Sequence, residues 1–445
     1  MIPHNAIALI SALIFGLLIP PGAAYNILVS IVGVSGSQNL IMTRFAEQLA
    51  LRGHRVTILK ANVFVDAKMP KFDHCRLVEY EAVRPELAQQ FADVVWAMPW
   101  NNQSAEFQTT GFPPFSLLKS LYYAVTDSCR DVAKKDSPVL KRLSTEQWDV
   151  AVIHLIDFCM FGLAEVLEIR STIWMSTAML LESMAWSAGV PSAPTFVPVS
   201  GHATGPEMGL LARGKNVALD VVSYSVFAKM LMPAFTSVFR EQYGAQFPDI
   251  ETLTTRTQLY FVNSDPFFEY PRPIQHNIIY VGGLTMKTAE PLAEEWQKLV
   301  DNAGEGGVVI FSLGTVANTS AMPHSYKMAF LNTFKRFPNV QFIFRLEGEF
   351  NDAKGVPNVK LTKWLPQKDL LAHPKIRAFI THGGYNSLTE ATYWGVPVIV
   401  MPLFGDQHAN VKRVERAGVG VMLDKDNLSV ETISAALTEV LNSAT

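Results

Sequence analysis

Between residues 363 and 407 the chain carries side chains suited to holding a phosphorylated, sugar-bearing ligand. Trp364 offers an aromatic plane, and Gln367 offers an amide that both donates and accepts, a pair suited to stacking on a base and reading its edge. The stretch RAFITHGGYNSLTEATYW (377–394) comes next. There an apolar strand stops at His382, Gly383 and Gly384 let backbone approach a ligand, and Asn386 or Ser387 is a good helix N-cap. Free N–H groups at that helix start, with His382 beside them, suit a phosphate. Glu390 is four residues beyond Asn386 on the same helix face, where a carboxylate can take two vicinal hydroxyls. Asp406 and Gln407 follow the next strand and supply acceptors and donors for a sugar. Groups for base, ribose, diphosphate and sugar therefore occur within 45 residues. That arrangement fits a nucleotide sugar better than a nicotinamide cofactor, which would call for G-x-G-x-x-G and a downstream acid.

Strand ends must present these groups, and the chain alternates strands with helices. Tyr25 to Val34 reads as a buried strand, Leu40 to Arg52 as a helix closed by Gly53, and Arg55 to Leu59 as a second strand, together a βαβ unit. Asp149 to Ile156, Ser171 to Met175 and Gln258 to Asn263 continue the same half. A polar connector over 285–306 precedes Gly307 to Leu313, and alternation resumes through Val340 to Arg345, Ala378 to His382 and Val396 to Met401. The pattern predicts an α/β protein of two doubly wound, Rossmann-like domains, 25–284 and 307–445, facing a cleft at the carboxyl ends of their strands.

Composition narrows the class. The 445 residues are 49% hydrophobic and 17% charged, too long for one ordinary core, and a net charge of -3 argues against nucleic acid. Residues 1–24 run apolar from Ala6 to Ile19, break at Pro20-Pro21 and end in Gly22-Ala23-Ala24, the pattern of a cleaved signal peptide. No later stretch reads as long and apolar enough to cross a membrane. Cys75, Cys129 and Cys159 are an odd count that supports no disulfide framework. Asn102, Asn318 and Asn427 stand in glycosylation sequons.

The run WLPQKDLLAHPKIRAFITHGGYNSLTEATYWGVPVIVMPLFGDQHAN resembles the signature of the UDP-glycosyltransferases of glycosyltransferase family 1, nematode and insect members above all. FVNSDPFFEYPRP (261–273), VGGL (281–284) and VIFSLGT (309–315) extend the likeness. The resemblance implies a GT-B fold, with the acceptor in the first half and the UDP-sugar in the second. By position, Trp364 would stack on uracil, Gln367 would contact the uridine and Glu390 the ribose hydroxyls. His382, Gly384, Asn386, Ser387, Ser312 and Thr315 would surround the diphosphate, and Asp406 and Gln407 would hold the sugar. UDP-glucose or UDP-glucuronate is then a co-substrate, with no resident cofactor and no metal expected. Asp424-Lys425-Asp426 reads as a turn and cap, not a metal site.

The catalytic end departs from the family pattern. Members place a histidine base after the first strand, where this chain has Gln38, and a carboxylate at the end of the strand opened by W-D-V, where it has His154. Asp157 follows three residues later. An amide cannot take a proton in this range, so three readings stand. His154 acts as base with Gln38 or Asp157 orienting its ring; the dyad is lost in a silent UDP-sugar-binding partner; or His154 is a satisfied strand-end histidine. Phe91 to Phe115 and Ser183 to Phe196 are rich in aromatic, Met and Pro residues, consistent with a small lipophilic hydroxyl acceptor. The expected location is the endoplasmic reticulum lumen or the exterior. Membrane attachment requires that the N-terminal apolar segment be retained or that the chain continue past Thr445. Homo- or hetero-oligomers are compatible with either reading.

Overall fold

The computed structural model describes residues 24–442 apart from 34, 64–68, 84–88, 90–97, 101–125, 201–204, 206, 285 and 287–288. The leader, Asn102 and most of the Phe91 to Phe115 stretch lie outside the described residues.

Runs of β-branched and aromatic residues, buried on both faces, form two all-parallel sheets. The first holds β1 (Asn26–Val32), β2 (Arg55–Asn62), β3 (Arg76–Glu81), β4 (Val150–His154), β5 (Ser171–Ser176), β6 (Leu259–Val262) and β7 (Ile278–Tyr280), in the order β3-β2-β1-β4-β5-β6-β7. The second holds β8 (Val308–Ser312), β9 (Gln341–Arg345), β10 (Val359–Thr362), β11 (Ile376–Thr381), β12 (Val398–Val400) and β13 (Gly420–Met422), in the order β10-β9-β8-β11-β12-β13. Each order reverses direction once, between β1 and β4 and between β8 and β11, which opens a crevice at the strand ends. This is the doubly wound pair that the sequence pattern predicts.

Five helices position the candidate residues: α1 (Gly36–Leu51), α2 (Phe158–Val166), α3 (Gln367–Leu371), α4 (Tyr385–Tyr393) and α5 (Gln407–Ala417). Ser35 N-caps α1 by accepting from the Gln38 N–H, and Asp157 N-caps α2 by accepting from the Met160 N–H. The polar connector contains a further helix, Glu294–Asp301, whose Trp296 and Val300 pack into the core of the second sheet.

Three expectations are corrected. Gly384 is the N-cap of α4, with no side-chain cap, so Asn386 and Ser387 lie within the first turn and do not cap it. Cys129 and Cys159 form a disulfide, leaving Cys75 as the odd cysteine. Both bonded residues are buried, and they tie the helical segment at 126–133 to the first turn of α2. The third concerns membrane-length segments: Leu210–Tyr243 is one 34-residue helical stretch, long and apolar enough to span a bilayer by length and composition. It includes a π-helical turn at Phe227–Leu231 and leaves Leu210, Leu211, Val221 and Met230 exposed.

Candidate functional site

The loops at the two crevices meet. Asn386, in the first turn of α4, donates from Nδ2 to the Ser37 carbonyl in the first turn of α1, at 3.2 Å. Deeper in the interface the Ser264 and Tyr385 hydroxyls are hydrogen-bonded, and Glu269 and Arg413, both almost fully buried, form an ion pair at 3.5 Å. Arg416 donates to the carbonyls of Phe267 and Glu269 at 3.2 and 2.7 Å.

On the second domain the predicted residues converge. Gln367 at the start of α3 donates from Nε2 to Glu390 Oε2 at 2.8 Å and to Ser387 Oγ at 3.3 Å. Burial raises the Glu390 carboxyl, and the Gln367 bond works against that rise. Trp364 is 68% exposed, leaving its ring open to a flat partner.

His382 follows the last residue of β11 and lies between two glycines. A Cβ on Gly314 would fall 2.6 Å from its Cε1, and one on Gly384 would fall 2.4 Å from its Nε2. Only glycine admits the ring there, which places it beside the start of α4 and the loop after β8. Burial, then the charge of Arg345, lowers the His382 pKa to about 4, so the ring is a neutral donor and acceptor at physiological pH. Ser312 ends β8 directly opposite Thr381 in register, and Thr315 is exposed on the loop that follows.

Asp406 and Gln407 begin α5. Gln407 Oε1 accepts from the Leu403 and Phe404 N–H groups at 2.8 and 3.1 Å, so this end of the amide shapes the loop. The Asp406 carboxylate does not cap the helix and is bonded by Asn410 at 2.8 Å. Asp424 accepts from the Asp426 N–H and caps a short turn, the role the sequence predicts for it.

Sequence reasoning missed Arg345. Its guanidinium is buried, donates to the carbonyls of Gly314 and Lys363, pairs with Glu347 at 2.8 Å and lies 5.5 Å from the centre of the Trp364 ring. One side chain thus ties the aromatic plane to the phosphate-side loop. The available signal was a lone arginine closing the apolar strand FIFR.

At the opposite crevice His154 and Asp157 are both buried. His154 is completely buried; its Nδ1 accepts from the Ile156 N–H at 3.5 Å, while its Nε2 is buried without a partner. Burial lowers its pKa to about 3. Neither Gln38 nor Asp157 bonds the ring, so the orienting contact expected from sequence is not formed. Gln38 Oε1 is itself buried and unpartnered. Asp157 is bonded by the Ser30 side chain and the Met160 N–H, and burial raises its pKa to about 6 against those two bonds.

A family model described as UDP-glucoronosyl and UDP-glucosyl transferase matches residues 27–445. Human UDP-glucuronosyltransferase 3A2 is 30% identical over 458 residues, covering 99% of this chain and 82% of the relative. The Caenorhabditis elegans protein ugt-60 is 31% identical over 320 residues, covering 71% of this chain and 63% of its own length. This chain therefore spans less than two thirds of that nematode relative. Among solved structures, Os79 from O. sativa in complex with U2F and trichothecene superposes with a TM-score of 0.61 at 17% identity, covering 94% and 91% of the two chains. The calicheamicin glycosyltransferase CalG4 gives 0.55 at 20% identity, over 94% and 90%. At such identity these likenesses show the fold, the two-domain GT-B arrangement.

Proposed function

Because the chain belongs to the UDP-glucuronosyl and UDP-glucosyl transferase family, we propose that it transfers a hexosyl group, glucose or glucuronate, from a UDP-sugar to a hydroxyl of a small lipophilic acceptor. The observation that carries this reading is the joined donor site: Gln367, Ser387 and Glu390 in one hydrogen-bonded group, with His382 between Gly314 and Gly384. Uracil stacks on Trp364, Glu390 takes the ribose hydroxyls, and the diphosphate lies against His382 and the N–H groups opening α4. Those donors and the helix dipole offset the charge that develops on UDP as it leaves, so the reading needs no metal ion.

The acceptor oxygen forms its bond to the anomeric carbon on the face opposite the departing phosphate oxygen, with inversion. In this reading its proton goes to Asp157, which follows the end of β4 as the N-cap of α2 and whose burial-raised carboxyl pKa, at about 6, lies nearer neutrality than that of His154 at about 3. The disulfide favours an oxidising compartment and supports entry to the endoplasmic reticulum lumen or secretion.

The burial of His154 also favours a second reading, a UDP-sugar-binding partner with little turnover. The test is UDP release by the purified chain from UDP-glucose and UDP-glucuronate, with and without phenols and small alcohols. Acceptor-dependent release is expected; UDP binding with no release would leave the silent partner as the function.

A further inference from the structure

We propose that Asn410, one turn after Asp406 on α5, is a positioning residue that locks the sugar-facing carboxylate and the diphosphate turn into one unit. The inference rests on the donor-site reading above. Asn410 is completely buried. Its Nδ2 donates to Asp406 Oδ2 at 2.8 Å and to the Gly383 carbonyl at 2.9 Å.

Both partners are acceptors only, so the NH2 end of the amide must face them. The Oδ1 end is left buried without a partner, an arrangement that core packing alone does not favour. Asp406 leaves the N–H groups of α5 uncapped by its side chain, so its carboxylate is held by Asn410 and directed by it. Arg413 on the same helix and Tyr385 on α4 are the other charged or titratable groups that act on this site.

The second contact reaches the turn after β11. Gly383 has φ +82°, and a Cβ there would fall 2.6 Å from Val400 Cγ1, so the turn has little room to move by itself. With Asn410 bonded to both, the sugar carboxylate and the phosphate-side backbone keep a fixed separation. A hexose therefore meets its acceptor group already placed when the diphosphate docks.

The test compares binding of UDP, UDP-glucose and UDP-glucuronate by titration calorimetry in wild type, Asp406→Ala, Asn410→Ala and Asn410→Asp. Asp406→Ala is the control for the underlying reading. It should weaken the sugar nucleotides and spare UDP, and no such difference would remove the sugar-site assignment itself. Given that difference, Asn410→Ala should lose about 10- to 100-fold in UDP-sugar affinity, the range for a lost bond to a charged group, and less than about threefold for UDP. Asn410→Asp sets a carboxylate against Asp406 and a carbonyl. Its UDP-sugar affinity should collapse at pH 8 and recover as the pH falls, because protonation restores one donor. Parallel losses for UDP and UDP-sugar, unchanged affinities, or no pH recovery in Asn410→Asp would each overturn the proposal. If Asn410→Ala does not fold, Asn410→Ser, which keeps one donor, carries the same comparison.

Discussion

Gly314 packs so closely on His382 that a Cβ on the glycine would stand 2.6 Å from the ring. Gly314 also has φ +74°, where L side chains are strained, whereas Gly384 on the other face of the ring has φ -61°. Gly314→Ala and Gly384→Ala should therefore both displace the ring, but only the first strains the backbone. Each is expected to weaken UDP binding about tenfold or more, with a further stability loss of about 1–3 kcal/mol in Gly314→Ala alone. Calorimetry and thermal unfolding measure the two effects. Full UDP affinity in both variants would show that the ring does not serve the diphosphate.

Gln367 bonds Glu390 and opposes the rise that burial imposes on that carboxyl. Removing the amide should raise the Glu390 pKa further. Gln367→Ala is then expected to lose more UDP affinity at pH 5.5 than at pH 8, since a protonated carboxyl accepts ribose hydroxyls poorly. Glu390→Ala sets the baseline for titration of UDP itself. The same pH dependence in both variants would mean that Gln367 acts on the ligand and not through Glu390.

Much of this was legible in the sequence because parallel strands buried on both faces read as unbroken apolar runs, and glycine turns mark their ends. Helix spacing placed Glu390 on the face of Asn386 and the family resemblance singled out Gln367 and Ser387, but the hydrogen bonds that join Gln367 to Ser387 and Glu390 run between separate helices and were not legible. What was not legible depends on contacts distant in sequence. An odd cysteine count hid the Cys129–Cys159 bond, since one bridge and one free thiol fit it as well as none. The Leu210–Tyr243 helix escaped because Arg213, Lys215, Asp220 and Lys229 interrupt its apolar run. Nothing near position 154 announces that its ring points into the core, because strand alternation fails where both faces of a sheet are covered.

The disulfide holds the first turn of α2, the helix that Asp157 caps. Replacing both Cys129 and Cys159 by serine reopens a span with a sequence separation of 30. A loss of about 2–4 kcal/mol is expected, read as a lower denaturant midpoint, and reductant should produce the same loss in wild type alone. An unchanged midpoint in the double variant would show that packing alone fixes the start of α2.

Asp157 and His154 predict different pH profiles for transfer. The Asp157 pKa is raised from 3.8 to about 6 by burial, so with this residue as base the rate should climb with pH, reach half its maximum near pH 6 and then level off. With His154 as base, at about 3, the rate would be flat from pH 5 to 8. Stability gives an independent check. A carboxyl whose folded pKa is raised favours the fold below its unfolded value, and that contribution is lost as pH rises through about 6. An asparagine side chain keeps a capping oxygen without the charge, so Asp157→Asn should abolish transfer yet unfold no more easily than wild type at pH 8, where it avoids a burial penalty of up to about 3 kcal/mol. His154 is depressed from 6.5, so its protonation opposes folding as pH falls below that value, and His154→Gln should lessen acid unfolding while leaving turnover at pH 7.5 unchanged. A His154→Gln variant that folds but loses transfer, together with an active Asp157→Asn, would reverse the assignment of the base.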